Sequence, residues 1–416
     1  MKSALALVIS IFTARYMGPA NYGLINYAAS IVAFVAPIMY LGFNNTLVQE
    51  IVNAPKKEGE TVGTAILMSF FSSLLCIAGI AVFVSIANCG ENKTIFVCLL
   101  YSILLIFQSA DLIAYWYQAK LLSKYSSSVS LCAYIVVSCY KIYLLALGKN
   151  IYWFAVSNAI DYLLISGALL IIYREIGTQR LRFSFAAARR MLGKSRHYIL
   201  SNMMIVVFAQ TDRIMLKLMV GDTETGYYSA AVYCAGLASF VFSAIIDSVR
   251  PIALKHKEES EKLFERDIVR LYSIIIYLAL AYSLVMTVFA LPVIKILYGA
   301  DYIPAVYILQ IVVWYCTASY LGGARDIWIL AENKQKYLWR INALGAIINI
   351  GLNTVLIPIW RADGAALASV ITQFSINVLF TSIYKPTKRT GRLMFRGSNP
   401  KLFIGMIKKI VKRDKQ

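Results

Sequence analysis

Apolar runs of about 20 residues recur along this 416-residue chain, and they dictate its fold class. A run of that length is what an α-helix needs to cross the hydrocarbon core of a bilayer. Each backbone polar group must find its partner inside the protein there, so a run of this length crosses as a helix. With 59% apolar and 15% charged residues, the composition lies far from that of a soluble domain. The expected fold is an all-α integral membrane protein of about 12 transmembrane helices. The runs place spans at roughly 3–17, 23–43, 62–87, 94–118, 126–147, 151–173, 198–220, 226–249, 271–297, 303–330, 341–358 and 364–384. The first run is short, which reads as a clipped N-terminus or a misplaced start. Met1-Lys2 before an apolar stretch imitates a signal peptide, but no small-residue cleavage site follows.

The net charge of +20 raises the thought of nucleic acid, and the placement of the charges argues against it. Of 41 Lys and Arg, 32 fall on Lys2, in every second loop or in the C-terminal tail. The opposite side carries only Arg15, Lys93, Lys149 and Arg361. This alternation is the positive-inside pattern, and it predicts an even number of spans with both termini cytoplasmic.

Span seven carries the most telling charges. Within Tyr198–Val220 sit Asp212, Arg213 and Lys217. Arg213 and Lys217 are four apart and share a helix face, with Asp212 about 100° round from Arg213. A charge at membrane depth is unfavourable by a few kcal/mol or more, so it should face a watery cavity or an opposite charge. A helix carrying a cation pair suggests a path for something anionic. The plainer alternatives are that Lys217 snorkels to the interface and that Asp212 and Arg213 form a structural pair.

The 174–197 connection divides the chain into two sets of six spans, and a faint repeat supports the division. Gly18 to Gly23 closes span one and Gly221 to Gly226 closes span seven, with the same spacing and with Arg15 and Lys217 ahead of each turn. Paired repeats are a common way to build a transporter. The expected organisation is an N-terminal lobe over 1–173, a basic inter-lobe loop over 174–197, a C-terminal lobe over 198–384 and a basic tail over 385–416. From Asn399 the tail alternates Leu402, Phe403, Met406 and Ile407 with lysines, as does an interfacial helix on an anionic leaflet.

Other charges lie in the spans. Asp161 is near the middle of span six, Asp111 well inside span four, Lys141 inside span five, and Arg325–Asp326 near the end of span ten. Deep carboxylates are candidates for proton or sodium coupling and deep cations for holding an anionic headgroup. Asp161 with Lys141 can equally be a buried pair that fixes two helices, and Arg325–Asp326 reads as a gate or interface feature. Pro37 and Pro292 should bend spans two and nine. Seven cysteines without a CxxC pair read as core packing, with neither a metal site nor a disulfide framework. His197 and His256 form no ligand cluster. The glycine turns do not continue into a GxxxxGK[ST] run, so no nucleotide cofactor is expected.

Three stretches resemble one family. Thr13–Pro19, Tyr22-Gly23, Asn26–Ala28 and Leu41–Phe43 follow the N-terminal pattern of Wzx-type oligosaccharide flippases, the polysaccharide transporter branch of the MATE/MOP superfamily. Thr211–Leu216 followed by Gly226–Ala231 is similar to the family's span-seven motif, and Asp363–Ala368 to the opening of its span twelve. The short first span departs from the pattern. The resemblance implies two six-helix lobes in a V and alternating access. It also implies export of undecaprenyl-diphosphate-linked oligosaccharide units across the bacterial inner membrane for O-antigen, capsule or exopolysaccharide.

Under that reading Arg15, Arg213, Lys217 and Lys141 would attract the diphosphate. Asp111, Asp161, Asp212, Arg325 and Asp326 would couple ions or gate. The partners would be membrane lipids, a polysaccharide polymerase and a chain-length regulator, with no nucleic acid. The rivals are a MATE-type cation or drug antiporter, which would want a more acidic cavity, and a membrane polymerase or ligase, which would want a long outer loop.

Overall fold

Two of the helices are broken at a single residue, and the breaks turn apolar runs into spans. The computed structural model describes residues 2–177 and 179–413. The side chains of residues 2–4, 7, 197, 201 and 407–413 lie outside the description, and with them His197 and the tail face from Ile407 onward. Helix α1 (Lys2–Met39) breaks at Gly18, where φ is 69° and ψ is 170°. Helix α15 (Leu338–Phe374) breaks at Arg361, where φ is 50°. The apolar stretch Gln335–Ile383 holds 49 residues. As one straight helix it would be about 74 Å long, more than twice the bilayer core, so it must pass twice. Among the described residues ten apolar stretches are long enough to cross; the break at Arg361 divides Gln335–Ile383 into two passes, and the break at Gly18 sets the short first run of α1 off from the span that follows it. The protein is an all-α, multi-pass membrane protein.

The chain divides into two compact units, Met1–Gly226 and Tyr227–Gln416. The first unit begins with α1, α2 (Leu47–Asn53) and α3 (Glu58–Ala87). Span four is assembled from α4 (Asn92–Ser102), α5 (Leu104–Ala110), a 3-10 turn (Asp111–Ile113) and α6 (Ala114–Ala119). Helices α7 (Ser123–Ala146), α8 (Ile151–Ile176) and α9 (Phe185–Met219) follow. Its core is aromatic. The Trp116 ring meets Tyr173 edge-on at 4.8 Å, and the Tyr117 hydroxyl donates to the Leu169 carbonyl at 2.7 Å. The buried Tyr27 hydroxyl donates to Asn88 Oδ1 at 2.8 Å.

Helix α10 (Asp222–Ala235) starts in the first unit, and the second holds the rest of it. Then come α11 (Ser239–Glu259), α12 (Glu261–Val288), α13 (Ala290–Leu297), α14 (Ala305–Ala331) and α15. A π-helical turn (Ser375–Phe380), α16 (Thr381–Ile383), α17 (Lys388–Gly397) and α18 (Pro400–Arg413) complete it. Where α10 gives way to α11, the Tyr282 hydroxyl reaches the Cys234 and Ala235 carbonyls at 3.1 and 3.0 Å. A hydroxyl so placed satisfies backbone groups released by a break inside a membrane helix. The bend expected at Pro292 is a break at Phe289, because Pro292 falls in the first turn of α13, where its missing N–H is harmless. Cysteine placement differs from expectation. Cys76, Cys98, Cys234 and Cys316 are buried, but Cys89, Cys132 and Cys139 are exposed. Cys132 and Cys139 lie on α7, where an exposed thiol can meet lipid without penalty, and Cys89 lies in the turn between α3 and α4, so apolar context alone does not imply core.

The stretch read as a loop over 174–197 is helical from Phe185 on. Ser184 caps the helix by accepting from the Ala187 N–H, and Ala-rich sequence follows. The segment before it is stapled down. Gln179 accepts from Gly59 N–H and donates to the Pro55 carbonyl, Arg182 N–H donates to Gly59, and Ser184 N–H donates to Thr64 Oγ1. The buried Glu50 carboxylate takes Arg190 Nε at 3.1 Å and also pairs with Lys194. A Cβ on Gly63 would lie 2.6 Å from the Arg182 nitrogen, so only glycine permits this approach. Gly63→Val should therefore lift the segment and speed tryptic cleavage after Arg180 and Arg182. Gly79→Val, where a Cβ meets open space, should leave the digestion rate unchanged.

Candidate functional site

The repeated glycine turns seen in the sequence lie back to back. Gly18 and Gly221 both have positive φ, 69° and 131°. A Cβ on Gly23 would stand 1.9 Å from the Asp222 carbonyl oxygen, and one on Gly226 would stand 2.0 Å from the Pro19 carbonyl oxygen. The contact is reciprocal: the last glycine of each turn meets the residue after the first glycine of the other. It docks α1 against the first turn of α10, next to the C-terminal end of α9 and away from the 179–185 staple. Lys217 reinforces the same end. Buried on α9, it donates to Glu91 Oε2 at 2.6 Å and lies 3.1 Å from Asp222 Oδ1. Lys217 therefore does not snorkel. Its hydrogen bond holds the Glu91 carboxyl below its usual value of 4.5.

A second polar cluster lies inside the first unit. Lys141 Nζ on α7 donates to Asn158 Oδ1 on α8 at 3.2 Å and stands within electrostatic reach of Asp161, one turn along. Asp161 is also within electrostatic reach of Tyr134 and Tyr162. Asp111, which opens the 3-10 turn of span four, is within electrostatic reach of Tyr40, Tyr115 and Tyr162. Gln108 Nε2 approaches the Tyr162 hydroxyl at 3.5 Å. Two carboxylates, one ammonium and four tyrosines thus lie near one another, on span four, α7, α8 and the turn after α1. Such a region can bind a small cation, because its carboxylates and hydroxyls offer oxygen ligands and its hydroxyls can turn to accept or donate.

Arg325 and Asp326 lie in the second unit. Arg325 is buried on α14; its Nε and Nη2 reach Asp326 Oδ1 at 3.1 and 2.9 Å. Its Nη1 donates to Asn377 Oδ1 at 3.0 Å and to Thr381 Oγ1 at 3.4 Å. Asn377 belongs to the π-helical turn, and a Cβ on Gly322 would be 2.6 Å from that amide. One guanidinium so ties α14 to an irregular turn, a place where helices often carry function.

Arg15 is exposed on α1, three residues before the Gly18 break. Asp212 is buried on α9, and half-buried Arg213 donates to Gln210 Oε1 at 3.2 Å. The sequence-level candidates thus fall into distinct groups. Lys217 belongs to the glycine contact. Lys141, Asp161 and Asp111 share the polar cluster, and Arg325 with Asp326 forms the α14 tie. Sequence reading did not single out Glu91, Asp222, Asn158 or Asn377. Asp222 carried a signal, since it follows the first glycine of the repeated turn five residues after Lys217. Asn158 and Asn377, neutral and set in apolar runs, carried none.

A family model described as "Polysaccharide biosynthesis protein" matches residues 1–255. The chain belongs to this family. No curated protein matches the sequence. Among solved structures, this polysaccharide biosynthesis protein is similar to the lipid II flippase MurJ in an inward closed conformation. The TM-score is 0.72 at 15% identity, covering 98% of this chain and 91% of that one. It is also similar to an inward-facing multidrug resistance MATE transporter of the MOP superfamily, with TM-score 0.70, 12% identity and coverage of 94% and 95%. A MATE transporter of Vibrio cholerae aligns at TM-score 0.58 and 15% identity, covering 95% of this chain and all of that one. At such identities the likeness is one of fold, the MATE/MOP fold expected from the motifs.

The Glu91 pair gives a pH test. A carboxyl whose folded value is depressed adds stability above its unfolded value, and that stability is lost as pH falls through the folded value. Glu91→Gln should lower the melting temperature at pH 7. The gap to the unmodified protein should persist down to about pH 5 and close at more acidic pH. An equal gap at all pH values would separate Glu91 from Lys217.

Proposed function

We propose that this protein is a flippase that carries polyprenyl-diphosphate-linked oligosaccharide repeat units across the bacterial inner membrane by alternating access. Both termini would be cytoplasmic. Membership in a polysaccharide biosynthesis family and the MATE/MOP fold support the reading. The observation that carries it is Arg213, a half-buried guanidinium within the apolar span Tyr198–Met219. Guanidinium offers a planar fork of donors that matches phosphate oxygens and stays charged at any working pH. Arg15, on the helix packed against α9, would extend the cationic path. Lys217, engaged by two carboxylates, is assigned to closing the glycine contact rather than to the diphosphate. The Asp111–Asp161–Lys141 cluster would couple the cycle to protons or sodium, with Asp212 shaping the field at Arg213. The exported units would pass to a polysaccharide polymerase and a chain-length regulator to build O-antigen, capsule or exopolysaccharide.

A cation antiporter is the second reading, favoured by the two carboxylates among tyrosines in the first unit. Arg213→Ala discriminates. Loss of a charged hydrogen bond of about 1.5–3 kcal/mol should reduce surface glycan roughly ten- to hundredfold at equal protein level. Normal glycan would remove Arg213 from the mechanism, and restored export of an organic cation in its place would favour the antiporter. Asp161→Asn should flatten the dependence of transport on pH or sodium; an unaltered dependence would discard the coupling role.

A further inference from the structure

Beside the start of α12, an open groove of about 730 Å³ lies between that helix and α17–α18. Its cations are Lys262, Arg266, Arg270, Arg396 and Lys401. Lys262, Arg266 and Arg270 are spaced four apart, so three like charges stand on one face of α12. Like charges at that spacing repel one another and favour an anion between them. The groove's one carboxylate, Glu265, is already held by Arg389 Nε at 2.8 Å. Arg266 has Asp267 at 3.8 Å, but His256 occupies that carboxylate as well. Among the described residues, no carboxylate pairs with the side chains of Lys262, Arg270, Arg396 or Lys401.

The rest of the lining is apolar. Phe395 is 60% exposed, and Leu402 and Met406 complete its side of the groove. Packing holds the shape: the Tyr277 hydroxyl donates to the Ser398 carbonyl at 2.6 Å and its ring stacks on Phe403 at 4.6 Å. Because Glu261–Val288 is a membrane span, a groove at its first turns sits at headgroup depth.

We propose that this groove is a binding site for the phosphate-bearing headgroup of an acidic phospholipid, with Phe395, Leu402 and Met406 against the start of its acyl chains. Charge excess selects the phosphate and the exposed apolar wall selects a lipid over a free anion. The site is independent of the flippase reading and needs neither Arg213 nor the polar cluster.

The test uses the purified full chain in detergent, with thermal unfolding followed against short-chain phosphatidylglycerol below its micelle concentration. Phosphatidylglycerol should raise the melting temperature, whereas short-chain phosphatidylcholine and inorganic phosphate at the same concentration should not. Arg270→Gln with Arg396→Gln should weaken the apparent affinity about thirtyfold, from the contribution of each basic residue at an anionic surface. If that pair fails to fold, Lys262→Gln with Lys401→Gln, both exposed, should give a similar loss. An equal response to phosphatidylcholine would show that headgroup charge is not read. An equal response to phosphate would make it a free-anion site. An unchanged affinity in the folded variants would place the lipid elsewhere. Each of these results overturns the proposal.

Discussion

A chain that crosses a membrane many times must break its helices somewhere, and each break releases backbone groups that hydrocarbon cannot satisfy. In the first unit the breaks at Gly18 and Gly221 pair with one another through Gly23 and Gly226. At these approaches only a residue without a Cβ fits, so the glycines fix the distance between α1 and the start of α10, just past the end of α9. That distance brings Lys217 within reach of Glu91 and of Asp222, the residue whose carbonyl meets Gly23. The ion pairs are thus a consequence of backbone docking. In the second unit the break after Ala235 falls inside an apolar stretch, and a tyrosine hydroxyl donates to the carbonyls it releases.

Charge placement follows a related logic. An unpaired charge deep in a bilayer is unfavourable by at least about 2.5–3.5 kcal/mol, so buried charges should come with partners. Glu58, fully buried at the first turn of α3, has the Lys120 ammonium at 2.6 Å, and Glu50 has two cations from α9. Arg325 donates to the neighbouring Asp326 carboxylate on its own helix and to an amide and a hydroxyl on two other segments. These groups hold helices to one another. Arg15 and Arg213 are less buried than these groups, Arg15 exposed and Arg213 half-buried, on two helices packed together. That contrast separates scaffold from candidate site more sharply than depth along a run does.

Much of the fold was legible because its causes are local. Span count follows from run length, and Gly18 and Gly221 could be matched by spacing alone. The family motifs fell at the same glycines, where only a residue without a Cβ lets the two turns dock. Partners distant in the chain were not legible. Nothing near Lys217 announces Glu91, 126 residues away, and nothing at Gly322 announces the Asn377 amide it makes room for. The basic 174–197 stretch looked like a loop because charge pattern reports which side a segment faces and says little of its conformation. Its pairing with Glu50 and its Ser184 cap became visible only in three dimensions. For the same reason Asp161 and Lys141 could be suspected of sharing a region from their depth, while Asn158 between them could not.

The strength of the Lys217 contact bears on how a transport cycle of the proposed kind could use it. Glu91 keeps about half of its side chain exposed, and an ion pair with an exposed partner contributes of order 1 kcal/mol or less. Lys217 is buried, so opening the contact would strand an ammonium unless water or another anion reached it. A lone surface pair would be too weak to bias two states, and a fully buried one would resist opening. A half-exposed pair lies between, with its acid wet and its base dry. Moving an equilibrium from mostly closed to mostly open takes about 5.5 kcal/mol of differential binding, within reach of a diphosphate engaging guanidinium forks on α1 and α9. The glycine contact adds directionality: it has no side chains to rearrange, so it is either docked or separated, and the Lys217 pair follows it.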